Sequence, residues 1–121
     1  MHPGEETQVV DLVSRVFSQF VAPLYSDEGV AEFMKYVAPS ILADRVKGGH
    51  LVQVAESYDK IIGMIEIRDH SHIALFFVTT EHQRKGIGRE LLNRAVQACI
   101  SSNSELTEIT VNSSIILYRY L

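Results

Sequence analysis

The residues best able to do chemistry stand together in the third quarter of the chain: Gln83, Arg84, Lys85, Gly86, Ile87, Gly88 and Arg89. An apolar run from His72 to Val78 precedes them, and an amphipathic segment follows. Its apolar stripe is Ile87, Leu91, Leu92, Ala95, Val96 and Cys99. A buried strand, a glycine pair and a helix in that order make an anion site. The first amides of a helix have no partner inside it, and the helix dipole adds partial positive charge there. Glycines let the backbone approach a phosphate that a Cβ would hold off. Arg84, Lys85 and Arg89 add cations at the same place, in a chain whose net charge is −4. A glycine pair alone would read as an ordinary helix entry; with the strand and the cations, it points to a phosphate-bearing ligand. A Walker loop is excluded, since no Gly-Lys-Ser/Thr is present, and so is the dinucleotide fingerprint, whose third glycine is Leu91.

The elements that must position this loop follow from periodicity. Val9, Val10, Leu12, Val13, Val16, Phe17, Phe20 and Val21 repeat every 3.6 residues and predict a first helix, stopped by Pro23. Ser26 caps a second, with Val30, Phe33, Met34 and Val37 inward, and Pro39 ends it. A short third helix, Ile41 to Val46, runs into Gly48-Gly49. Strands follow at His50 to Glu56 and Ile61 to Arg68, joined by a hairpin turn at residues 57–60. The turn Asp69-His70-Ser71 leads into the His72–Val78 run, expected to be a central strand buried on both faces. Short connections make these three strands an antiparallel meander. Leu106 to Val111 reads as a further strand, parallel to His72–Val78 because a helix joins the two.

Composition sets outer limits. The 121 residues are 46% hydrophobic and 21% charged, which predicts one globular domain spanning 1–121. The net acidity argues against nucleic acid as a partner, and no apolar run is long enough to cross a bilayer. With no signal peptide at the start and a single cysteine, Cys99, the expected location is cytoplasmic. Cys99, on the apolar stripe, is expected to pack rather than react. No His/Cys cluster has metal-ligand spacing, so no metal is expected.

Gln83-Arg84-Lys85-Gly86-Ile87-Gly88 resembles the Gln/Arg-x-x-Gly-x-Gly/Ala signature of the GNAT superfamily of acyl-CoA-dependent N-acetyltransferases, and the element order from about Val9 to Leu121 resembles it too. The resemblance implies an α/β GNAT-like acyl-CoA N-acyltransferase fold, a mixed and largely antiparallel central sheet flanked by helices. It implies acetyl-CoA as co-substrate, its pyrophosphate cradled by residues 83–89. Its pantetheine arm would bond to the backbone edge of Phe76, Phe77 and Val78, with Asn112 contacting the arm. The acceptor would be an amine. A lysine-like amine has pKa ~10.4, so making it neutral at pH 7 costs roughly 4.6 kcal/mol, which a general base can supply. His72 stands where family members place such a base, with Glu66 and Glu81 as alternatives. Tyr118, in Tyr118-Arg119-Tyr120-Leu121, matches the start of the family's Tyr-x-x-Leu-Gly-Phe helix and would protonate the departing thiolate. Asp27, Glu28 and Glu32 either attract a cationic acceptor or complement the dipole of the second helix.

The family continues past this point through two further strands. Without them the Leu106–Val111 strand is expected to present an open edge: either this is a shortened form, or a partner copy in a homodimer covers the edge, or the sequence is a truncated one. Two other readings remain: a non-catalytic acyl-CoA-binding or regulatory module with the same loop, and an unrelated nucleotide-phosphate enzyme.

Overall fold

The computed structural model describes residues 1–82, 85–111 and the backbone of 118–119. Three helices come first: α1 (Glu6–Phe20), α2 (Asp27–Tyr36) and α3 (Pro39–Lys47). Strands β1 (Leu51–Ser57), β2 (Lys60–Arg68) and β3 (His72–Val78) follow, then α4 (Ile87–Ser102), β4 (Glu108–Val111) and β5 (Tyr118–Arg119). Among the described residues no helix is long and apolar enough to cross a membrane.

Local chemistry explains the boundaries. After α1, residues Ala22–Leu24 form a short 3-10 turn containing Pro23. The Ser26 side chain accepts a hydrogen bond from the Gly29 amide and so caps α2. Pro39, whose missing N–H costs nothing in a first turn, opens α3 after α2 has closed at Tyr36. Both hairpins turn through two residues with positive φ: Tyr58 (50°) and Asp59 (64°), then Asp69 (54°) and His70 (57°). Such pairs match the right-handed strand twist.

The strands lie in the order β1-β2-β3-β4-β5, with β1–β2 and β2–β3 antiparallel. The β3–β4 pair is parallel, as the intervening helix requires. Alternating side chains feed two cores. On one face Val52, Met64 and Leu75 meet Val9, Leu12, Val13 and Val16 of α1 and Leu42 of α3. On the other, Ile65, Ile67, Ile73 and Ile109 meet Leu91, Ala95, Val96 and Cys99 of α4. Each fully buried branched side chain contributes roughly 1.5–3 kcal/mol, so the two cores together hold helices to both faces of the sheet.

Three expectations need correction. β3 is buried on both faces only through Ile73, Ala74 and Leu75; Phe76 is 37% exposed, because the helix lying across it begins there with glycine rather than a side chain. β4 is not an open edge, since β5 pairs with it antiparallel, Ile109 opposite Tyr118. Tyr118 therefore stands in a strand, not in a helix; paired backbone groups on β4 offer an extended segment its hydrogen bonds.

Candidate active site

The end of β3 hands the chain to α4 through a tightly bonded turn. The Thr79 amide donates to the Ile62 carbonyl at 2.9 Å, and the His82 amide to the Thr79 carbonyl at 3.0 Å. Thr79 is buried, and its Oγ1 lies 2.8 Å from His82 Nδ1. Gly86 then opens α4 in the left-handed region, at φ +82°. A Cβ at Gly86 would meet nothing within 4 Å, so glycine is required there for its dihedral, not for space. Among the described residues no side chain caps α4. The Glu90 amide is bonded to the Gly86 carbonyl at 3.0 Å, and the amides before it, those of Ile87, Gly88 and Arg89, precede that first intrahelical bond. Lys85 and Arg89 flank them, both exposed.

Gly88 fixes where this bare turn sits. A Cβ there would lie 3.6 Å from Phe76 Cζ and 3.7 Å from Val78 Cγ2, so the first turn of α4 lies directly against the last residues of β3. The structure thus brings Phe76 and Val78 together with Gly88. Phe77 points to the opposite face, where its ring meets Phe33 at 6.2 Å between centroids. The Ile87 side chain packs into the α4 core, leaving its amide as the part that can serve a ligand. Gln83, Arg84 and Asn112, and the side chain of Tyr118, lie outside the described residues.

At the other end of β3 the described β3–β4 register has two rungs, His72 with Thr110 and Ile73 with Val111. His72 is half-buried, and its Nδ1 lies 2.5 Å from Thr110 Oγ1. The Thr110 amide in turn donates to the Ser71 carbonyl at 3.0 Å. Five residue steps lead from Ile73 to Val78, roughly 16 Å of extended strand. The histidine and the anion-ready turn therefore stand at opposite ends of one strand, as two ends of an elongated ligand would require.

Glu66 is corrected. It is fully buried on the α1–α3 face of β2, where Arg45 Nε and Nη2 donate to its two oxygens at 2.7 and 3.0 Å. His50 Nδ1 lies 2.8 Å from Oε2. The Arg45 guanidinium also stacks 3.8 Å over the Tyr36 ring and donates to the Tyr36 carbonyl. A carboxylate held on this many sides is an ion-pair anchor for α3, not a solvated base. Burial pushes the Tyr36 phenol above its ordinary range, and the nearby Glu66 charge adds to the rise. Glu81 is exposed at the mouth of the turn. Asp27, Glu28 and Glu32 lie exposed on α2, with Glu32 in an exposed pair with Lys35 at 3.5 Å.

Sequence reasoning missed Thr110, Arg45 and His50. A hydroxyl between Ile109 and Val111 was the available signal for Thr110; nothing local marks Arg45 as a partner for a residue twenty-one positions on.

A family model for the acetyltransferase (GNAT) domain matches residues 21–119. The chain belongs to the GNAT acetyltransferase family. Solved structures share its fold. A GCN5-related N-acetyltransferase from Rhodopseudomonas palustris superposes with a TM-score of 0.76 at 17% identity, over 94% of this chain and 70% of that one. The PaiA N-acetyltransferase of Thermoplasma acidophilum, solved with coenzyme A, gives 0.72 at 18% identity, over 88% and 72%. A GNAT acetyltransferase from Brucella melitensis, solved with acetyl-CoA, gives 0.68 at 14% identity, over 95% and 73%. No curated protein sequence matches. Each relative is longer than this GNAT chain, which spans about 70% of the first.

Proposed function

We propose that this GNAT chain transfers the acetyl group of acetyl-CoA to a primary amine by direct attack within a ternary complex. The observation that carries the reading is the left-handed Gly86, which has no side chain of its own to cap with, opening a sixteen-residue helix against the end of β3. The amides of Ile87, Gly88 and Arg89, with Lys85, Arg89, Gln83 and Arg84 around them, would hold the diphosphate. The backbone of Phe76 to Val78 would receive the pantetheine arm, which Asn112 would also contact, directing the thioester toward the paired end of β3 and β4. The coenzyme A and acetyl-CoA complexes of the Thermoplasma and Brucella relatives support that choice of ligand.

The chemistry at the thioester is then a matter of protons. The acceptor must lose one to expose its lone pair, and His72, held by Thr110, is the candidate base. The amine nitrogen attacks the carbonyl carbon, the new C–N bond forms and the C–S bond breaks. Coenzyme A leaves as a thiolate that takes a proton, for which Tyr118 is the candidate donor. Acetyl-CoA and a lone, buried thiol fit a cytoplasmic setting.

Thiol release from acetyl-CoA, followed with a chromogenic disulfide across a panel of amines, tests the reading. Cys99 adds little background, because burial raises its pKa and shields it. Amine-dependent release is expected, and His72→Gln should lower kcat by about 10²-fold or more while leaving coenzyme affinity in place. Coenzyme binding with no release for any amine would favour the non-catalytic module instead, a reading that the engagement of Glu66 in ion pairs already helps.

A further inference from the structure

Two of the described arginines stand on the α1–α3 face of the sheet near its His72 end, and they differ in what they hold. Arg45 has every guanidinium nitrogen engaged, Nε and Nη2 by Glu66 and Nη1 by the Tyr36 carbonyl. Arg68 follows Glu66 by two residues on β2 and so shares its face. Its only ion pair among the described residues is with Asp69, whose Oδ2 lies 3.5 Å from Nε, beyond the usual hydrogen-bond range. The two side chains are 46% and 81% exposed, and a pair of that length and exposure holds a guanidinium loosely. Glu66 offers Arg68 nothing, since Arg45 and His50 take both its oxygens. The Arg68 charge is also felt at the Tyr36 phenol, at the end of α2.

Register decides what lies beside those open donors. Arg68 stands directly opposite His72 on β3, and His72 opposite Thr110 on β4. Ile67, Ile73 and Ile109 turn into the α4 core, so Arg68, His72 and Thr110 form a polar row on the other face. Paired residues on one face have their Cβ atoms about 5 Å apart, which sets the candidate base one cross-strand step from the open guanidinium. The planar fork of a guanidinium matches the two oxygens of a carboxylate. An acceptor spanning this pair carries its amine and its carboxylate within a few bonds of each other. We propose that Arg68 binds the carboxylate of the acceptor, so that the amine acetylated is that of an amino acid. This rests on the acetyl-transfer reading with His72 as base. The carboxylate takes no part in bond making: the amine gives its proton to His72 and takes the acetyl group, and coenzyme A departs.

The test measures kcat/KM, by thiol release from acetyl-CoA, for the L-amino acids and for their C-terminal amides, which keep the amine and side chain but lose the charge. At least one acid should exceed its amide by about tenfold or more, with the difference in KM. In Arg68→Gln that ratio should fall below about threefold, while Arg68→Lys keeps part of it. A structural defect alone would lower acid and amide alike and leave the ratio where it was. Amides used as well as their acids, an unchanged ratio in a folded Arg68→Gln, or a preference for aminomethylphosphonate over glycine would each overturn the inference. Amide NMR of the labelled full chain separates its failure from that of acetyl transfer. N-acetylglycine should shift Arg68 and His72 saturably, and N-acetylglycinamide should not. Absence of those shifts would overturn the inference with or without turnover; shifts without turnover of any amine would leave the carboxylate site standing and overturn the acetyl-transfer reading alone.

Discussion

At the scale of single residues, Glu66 shows how a side chain's surroundings decide its job. In sequence it is a carboxylate on a strand beside a candidate base, as fit for chemistry as His72. In the structure Arg45 and His50 close over it, so its charge ties α3 to the sheet. Removing one partner of such a pair leaves the other charge buried, at a cost of about 3–5 kcal/mol. Glu66→Gln should therefore lower unfolding free energy by an amount near the lower end of that range, because Arg45 retains some solvent access, and urea denaturation will measure it. Tyr36 in the same cluster carries a pH dependence. Its folded pKa lies above that of the unfolded chain, so the folded state keeps its proton longer. Stability from this group is full below pH ~10 and falls as pH rises past the unfolded value. Denaturation midpoints should decline above pH ~10, and Tyr36→Phe should flatten part of that decline. None of this pairing was legible in sequence, because it joins residues brought together only when α3 packs on β2.

At the scale of elements the sequence was more informative. Apolar spacing, prolines and the serine cap placed the three leading helices, the meander and α4, since these signals act within a few residues. Ser26→Ala should cost about 1 kcal/mol, read as a shift in the unfolding curve, because the Gly29 amide loses its acceptor. Gly63 on β2 tests how closely α4 is seated. An added Cβ would fall 2.9 Å from Leu91 Cδ1, so Gly63→Ala should destabilise by about 1 kcal/mol, the Leu91 side chain turning to admit it. Where sequence failed, tertiary context decided. The run Phe76-Phe77-Val78 has the composition of a buried strand, yet Phe76 opens to solvent because its neighbour on α4 is Gly88. The family resemblance implied a helix at Tyr118, but the residue pairs with β4.

For the whole molecule, the arrangement is one sheet between two cores, with α1, α2 and α3 on one face and α4 on the other. That division puts the bare first turn of α4 at one end of β3 and the His72–Thr110 pair at the other. A long ligand gripped at its phosphates would then present its far end to the histidine. The glycine turn was legible from residue types alone; the pairing of His72 with Thr110 needed the parallel register of β3 and β4. The claim beneath this is that main-chain amides at Gly86 hold a diphosphate. Calorimetric titration of coenzyme A into the parent and into Gly86→Val tests it most directly, with thermal melts showing that both remain folded. A β-branched residue at φ +82° must abandon the turn, so affinity should fall at least tenfold. Equal affinity in the two folded proteins would contradict the account.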